Sequence, residues 1–300
     1  MGVAYREEPC SSALNRVRGM GFSWSLNPYM GCAHRCAFCY VRGFERRADR
    51  PSDDRYGTSV RVKTNIVEVL RRELARRSWT RETVAIGAAT DPYQPAEGRY
   101  RLTRGCITAL GEARTGFDLI TRGPLVVRDI DVMADASRRA ECRVSISIAT
   151  LDETLSTWLE PGVAPPRQRL RAIRMLTDAG IAAGVALAPI LPNITDDPRA
   201  MADVLRAARD AGATHAWWNV LNLRAGTREH FLSVLDREWP ELRPRYEALF
   251  PSTGSGYLPR AAAQPIEARA RAVRGGSGIA DRRRIRLTPE PSPEQLPLAI

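Results

Sequence analysis

Between residues 22 and 221 short apolar runs alternate with amphipathic stretches, and this alternation limits the fold more than any other feature of the chain. Six strand candidates fall at 22–26, 83–89, 117–121, 143–149, 181–187 and 215–221. Between them the apolar spacing turns helical. Ile66, Val67, Leu70 and Leu74 recur at three- and four-residue steps behind Thr64 or Asn65 as the cap, and similar patterns cover 103–113, 126–140, 167–179 and 199–211. Gly180 and Gly212 stand where two of these helices should end. Strands separated by helices predict a parallel sheet with right-handed crossovers. The fold class expected is α/β, a partial (β/α)6 TIM-like barrel with parallel strands, because the strand count falls short of the eight of a closed barrel.

The outlying segments read differently. Residues 1–20 form a basic lead-in without a clear period, 21–225 the barrel, 226–274 a C-terminal helical extension, and 275–300 a disordered basic, proline-rich tail. The charged stretch 41–54 reads as a solvated excursion. Chemistry in such barrels sits at the C-terminal strand ends. The sequence places polar groups there: Thr90 and Asp91, Thr121 and Arg122, Ser147, Thr150 and Asp152, Asn193, then Asn219 and Asn222.

No run of about 18 apolar residues occurs and the first residues carry charge without an apolar core, so neither a membrane span nor a signal peptide is expected, and a cytoplasmic location is. The net charge of +11 favours an anionic partner such as nucleic acid. Lys63 is the only lysine, however, and arginine usage this lopsided also follows from a GC-rich coding sequence.

Cys32, Cys36 and Cys39 form a Cys-x3-Cys-x2-Cys run, entered through Gly31, whose backbone freedom permits a tight turn. Three thiolates this close can converge on one centre. Structural zinc takes four protein ligands, and Cys10, Cys106, Cys142 and His34 supply no second paired half. The more economical reading is a four-iron cluster with three irons held by the run and the fourth left open. A zinc loop is the alternative.

The cysteine spacing, with Phe38 just before the third thiol, resembles the signature of the radical S-adenosylmethionine (SAM) superfamily. Within it, Asn27-Pro28-Tyr29-Met30-Gly31-Cys32, Thr90-Asp91-Pro92-Tyr93-Gln94-Pro95-Ala96-Glu97 and Ala188-Pro189-Ile190-Leu191-Pro192 are similar to motifs of the spore photoproduct lyase-related, DNA repair photolyase-like group. The resemblance implies a 4Fe-4S cluster and SAM as cofactors, and an external electron donor of the flavodoxin or ferredoxin type. It implies reductive cleavage of SAM to a 5'-deoxyadenosyl radical that abstracts hydrogen from an unidentified substrate, with a nucleic-acid base as one candidate. Metal ligands are then Cys32, Cys36 and Cys39. Phe38 and Tyr40 lie toward the adenine or shield the cluster, Thr90 and Asp91 stand at the SAM amino group, and Ser147 and Thr150 at the ribose or methionine carboxylate. Glu97, Glu160 and Arg169 match group motifs and equally suit structural ion pairs.

Spore photoproduct lyase itself uses a cysteine near the end of strand two as hydrogen-atom donor. Here that place reads Ala88-Ala89-Thr90, which leaves Cys106 as the substitute candidate. Two other functions compete: modification of a peptide or small molecule, and a non-catalytic zinc-loop protein that binds nucleic acid. His34 reads as a surface residue or a neighbour of the ligands, and Trp217 and Trp218 as facing opposite sides of one strand. Nothing in the sequence fixes the oligomeric state.

Overall fold

A computed structural model describes residues 2–282. The chain opens with β1 (Ala4–Glu8), β2 (Leu14–Arg16), β3 (Trp24–Leu26) and β4 (Tyr29–Met30). After the cysteine run come α1 (Arg42–Arg47), β5 (Ser59–Lys63), α2 (Ile66–Leu74), β6 (Val84–Ile86), α3 (Pro95–Tyr100) and α4 (Leu102–Glu112). The repeat continues through β7 (Phe117–Thr121), α5 (Ile130–Ser137), β8 (Cys142–Ser147), α6 (Glu153–Leu159), α7 (Pro166–Asp178), β9 (Ala182–Ile190), α8 (Pro198–Asp210) and β10 (His215–Val220). Three helices, α9 (Thr227–Glu238), α10 (Arg243–Leu249) and α11 (Arg260–Ser277), precede β11 (Ala280–Asp281).

The main sheet has eight strands in the order β2-β3-β6-β7-β8-β9-β10-β11, parallel throughout except for the β2–β3 pair. A second sheet, β1-β5-β4, stands apart from it. The six expected strands are therefore present and adjacent, as a partial barrel requires. Register explains the two faces. Leu26, Ile86, Leu119, Val144 and Ala183 align in one row across five strands and all enter the helix-covered core. The neighbouring row, Ser25, Ala85, Asp118, Arg143 and Ala182, faces the lumen. Ser145 and Gly184, then Ser147, Ala186 and Trp217, continue that inner face toward the C-terminal rim. Period-two alternation thus separates an apolar outside from a small, polar inside. Burying each large apolar side chain of the outer face contributes about 1.5–3 kcal/mol.

Helix ends follow local chemistry. Asp152 caps α6 by accepting from Leu155 N (2.9 Å), and Asp197 caps α8 by accepting from Ala200 N (2.8 Å), with Pro198 at its first position. Gly180 and Gly212, at φ of 78° and 87°, end α7 and α8 as the sequence predicts. Among the described residues no helix is long and apolar enough to cross a membrane.

Four expectations change. The lead-in 1–20 contains β1 and β2, edge strands too short and too exposed to show a period. The stretch 41–54 is solvated only in its second part: residues 46–54 are mostly exposed, but it begins with α1, and Arg42 is buried, its guanidinium 4.5 Å from the Tyr56 ring centroid and bonded to the carbonyls of Ser52 (2.8 Å) and Asp53 (2.6 Å). Asn65 precedes α2 but does not cap it; its amide exchanges bonds with the Cys10 backbone. Within 275–300, expected as a disordered tail, α11 runs on to Ser277 and β11 pairs with the start of β10; residues 283–300 lie outside the described residues. Arg282 then pairs with Asp118 (2.9 Å) and lies 5.0 Å from the Trp217 ring centroid, at the lower end of the lumen.

His215, fully buried there, is wired as a neutral imidazole. Trp217 Nε1 donates to Ser145 Oγ (3.0 Å), and that hydroxyl keeps its proton for the neutral His215 Nε2, 3.1 Å away. On the other side Nδ1 lies 3.0 Å from Thr214 Oγ1, which passes its proton to Ala183 O (3.0 Å). Burial, aided by Arg282 and Arg143, holds its pKa down at about 4. A depressed histidine stabilises the fold fully above the unfolded value near 6.5 and loses that contribution as pH falls toward 4. The shift corresponds to roughly 3 kcal/mol. Chemical denaturation between pH 7 and 4 should therefore show stability falling with acid, and His215→Asn should have a shallower slope over that window; equal slopes would contradict the neutral wiring.

Candidate metal and cofactor centre

The cysteine run is a loop held from several directions. Gly31 takes φ of 82°, and a β-carbon there would stand 3.0 Å from Ser59 O. Arg35 adopts the left-handed region at φ of 55°, which turns the chain between Cys32 and Cys36. The segment after β6 reaches across the sheet to clamp the turn. Gln94, wholly buried, accepts from Ala33 N (3.0 Å) and donates to Gly31 O (3.0 Å) and Thr90 Oγ1 (2.9 Å), while Thr90 Oγ1 donates to Gly31 O (2.8 Å). From the other side Ala37 N donates to Leu159 O (2.8 Å) and Gly162 N to His34 O (3.1 Å). A β-carbon on Gly162 would lie 2.6 Å from Ala33 O, so only glycine fits that approach. Thr227 Oγ1 holds Cys39 O (3.0 Å), and the Tyr56 hydroxyl lies 3.3 Å from Cys39 Sγ.

All six cysteines are unpaired. Cys36 senses Cys39 and Cys32 as neighbouring charges and Cys39 senses Cys32, so the three thiols share one region. Burial pushes the Cys36 and Cys39 thiols above their ordinary range. Thiols in such surroundings ionise only beside a strong positive charge, which a coordinated metal provides. Among the described residues no group of three or more His, Cys, Asp or Glu side chains is arranged to hold a metal ion. The donor set and its burial fit an iron–sulfur group.

His34 is neither a ligand nor a surface residue. It is buried with Nδ1 3.3 Å from Asp91 Oδ2. Burial opposes its charge, but Cys32 and Asp91 outweigh that and raise its pKa to about 10. Burial would raise Asp91 too, yet His34 and the hydrogen bonds from Thr121 Oγ1 (2.6 Å) and Arg122 N (2.7 Å) bring it down to about 2.

Each predicted site residue now has a place. Thr90 and Asp91 meet the loop, as expected, and their side chains bond Gly31, His34, Thr121 and Arg122. Phe38 is buried beside the thiols, with the Arg122 guanidinium 5.4 Å from its ring centroid. Tyr40 is partly exposed, bonded to Ala88 O and edge-on to Phe44. Thr150 accepts from Asp152 N (3.1 Å) in the turn before α6. Ser147 differs: its buried hydroxyl has no hydrogen-bond partner, at the rim end of the inner face.

Cys106 is not brought to this centre. It is buried in α4 among the core residues, where its charged neighbours are Glu97, Cys10 and Lys63. Glu97 is structural, accepting from Tyr29, Thr103 N (2.9 Å) and Arg128 (2.8 Å). Trp217 faces the lumen and Trp218 the helices, as alternation predicts, but Arg282 covers a Trp217 face. Sequence reasoning put Arg122 at the rim without a role and missed Gln94 and Tyr56 as parts of the centre. Gln94 stood within a recognised motif, and only the fold shows what it grips.

With this geometry in view, comparison with known proteins gives the class. The radical SAM superfamily profile matches residues 26–205. The chain belongs to the radical SAM superfamily, whose members use SAM and an iron–sulfur cluster, and it is an enzyme of that class. An uncharacterized protein of Mycobacterium tuberculosis is 40% identical over 252 residues, covering 83% of this chain and 74% of its own, and one of Methanocaldococcus jannaschii is 24% identical over 228 residues, covering 76% and 81%. A spore photoproduct lyase mutant superposes with a TM-score of 0.69 at 14% identity, covering 90% of this chain and 78% of its own, which establishes the shared fold. Another lyase structure, with bound AdoMet and dinucleoside spore photoproduct, gives 0.67 at 15% identity over 87% and 75%.

Gln94→Ala should leave the Ala33 N–H without its partner and cost about 1–3 kcal/mol. Urea unfolding together with iron content after anaerobic reconstitution checks this: both should fall, and wild-type stability with full loading would show that the clamp does not shape the loop.

Proposed function

We propose that this radical SAM enzyme carries a 4Fe-4S cluster on Cys32, Cys36 and Cys39, binds SAM against the rim at Ser147, and acts on a nucleic-acid base. The observation that carries the reading is the clamped loop that carries Cys32, Cys36 and Cys39, two of them buried and the third partly buried, with the neighbouring His34 turned to Asp91. When bound, the cluster and SAM together supply a one-electron cleavage that yields a 5'-deoxyadenosyl radical able to abstract hydrogen. The protein's part is to hold and exclude. Gln94 and Thr90 fix the loop, Phe38 and Leu159 keep water from the thiols, and Ser147 offers a hydrogen bond inside the lumen. Electrons come from an external carrier of the flavodoxin or ferredoxin type.

The substrate half rests on the mouth. Arg47 lies 4.9 Å from the Phe44 ring centroid, and Arg224 lies 5.3 Å from that of Tyr257. Tyr40 and Tyr257 are both exposed. Arginine interleaved with aromatic faces suits stacked bases and phosphates, and the charge of +11 agrees. Cys106 lies in the core, so the hydrogen donor in this reading is another group or the substrate itself. A peptide substrate is less favoured, since no cysteine follows Cys142 to hold a further cluster.

Anaerobically reconstituted protein given reductant and SAM should release 5'-deoxyadenosine, and Cys36→Ser should lower that by more than about 100-fold. Ultraviolet-irradiated DNA should stimulate release. Absence of product from the wild type would contradict the cofactor reading, and indifference to DNA and RNA of every kind would contradict the substrate.

A further inference from the structure

Arg122 leaves the end of β7 with its guanidinium pinned on two sides. Nε donates to Glu160 Oε1 (2.7 Å) and Nη2 to Ala188 O (2.8 Å), which sets the group over the Phe38 ring between the second and third cysteines. Glu160 does not belong to Arg122 alone. Its other oxygen is 2.7 Å from Nη1 of Arg169, which also donates to Ser147 O (2.8 Å) and, through Nη2, to Ser156 Oγ (2.8 Å). Side-chain exposures of 20% for Arg122, 2% for Glu160 and 0% for Arg169 leave little water to screen the triad. Glu160 also follows Leu159, whose carbonyl receives Ala37 N from the cysteine loop, so the segment that anchors the triad is the one that seats the thiols.

Charge counting gives the consequence. An Arg122–Glu160 pair by itself would be neutral. Arg169 shares the carboxylate, so two cations and one anion leave a net positive charge. Buried net charge is costly unless an opposite charge lies near. On the side facing the loop Arg122 is the strongest charged neighbour of Cys36, and Asp91 also acts on its guanidinium.

We infer that Arg122, locked in place by Glu160 and Arg169, is a positioning residue that fixes one positive charge against the Cys36 side of the iron–sulfur cluster and thereby raises the cluster's reduction potential. This rests on the cluster reading given under Proposed function. The physical reason is differential: the reduced cluster carries one more negative charge than the oxidised one, and a fixed cation in low dielectric favours it. A merely structural triad would tie the rim segments together and affect stability alone.

The test uses full-length protein reconstituted with iron and sulfide. Iron content and the electron paramagnetic resonance signal of the reduced state report whether a cluster forms, and a potentiometric titration followed by that signal reports its midpoint. Arg122→Met should move the midpoint to a more negative potential, and Arg122→Lys should keep it nearer to wild type. Should Arg122→Met fail to load iron, Arg122→Gln, which keeps hydrogen-bonding capacity without charge, carries the comparison and should shift in the same direction. A midpoint shared by wild type and the neutral variants, even with lowered thermal stability, overturns the role of Arg122. Absence of any iron–sulfur signal in the wild type overturns the cluster reading and this inference with it.

Discussion

Thiols withdrawn from water can act as ligands only where positive charge replaces the solvation they lose. Most of the rim of this protein is arranged around that constraint. Burial makes Cys36 and Cys39 poor acids when unligated, and the loop that carries them is shaped by groups from distant parts of the chain. Gln94 and Thr90 reach it from the segment after β6, Leu159 and Gly162 from the end of α6, and Thr227 from the start of α9. Each contact satisfies a buried backbone group of the loop, and this is how a stretch with little regular structure keeps one conformation.

The barrel supplies the second requirement, a polar interior beside an apolar exterior. Alternation along β7, β8, β9 and β10 places Asp118, Arg143, Ser145, Ser147 and Trp217 inside, while Leu119, Val144, Ile146 and Val185 face the helices. The inner polar groups then divide into two levels. At the lower end Asp118, Arg143, Arg282, Ser145 and His215 satisfy one another and close the lumen. Near the rim Ser147 remains unpaired and the charged triad of Arg122, Glu160 and Arg169 faces the cysteine loop.

How much of this was legible in the sequence depended on how local the cause was. The strands of the barrel and the glycine ends of α7 and α8 were readable, because period and capping act within a few residues. The three cysteines were readable because their spacing carries the chemistry. The small sheet β1-β5-β4 was not, since its strands are short and β1 is largely exposed. Residues 275–282 have the glycine and arginine content of a tail, yet β11 is held by pairing with β10 and by Arg282, contacts that no local pattern announces. Cys106 was misplaced for a related reason: its helix begins near the rim, but the side chain points into the core. Thr90 and Asp91 lie at the centre as expected, and only the folded chain shows that their side chains also hold Gly31, His34 and Arg122.

The central claim is that the three thiols hold a cluster with one iron left for SAM. The most direct measurement is the electron paramagnetic resonance spectrum of the anaerobically reconstituted, reduced protein recorded before and after SAM is added. The account predicts a 4Fe-4S signal whose shape and g values change on addition, as direct binding to the cluster requires. A spectrum indifferent to SAM, or protein that retains stoichiometric zinc and forms no cluster, would contradict it.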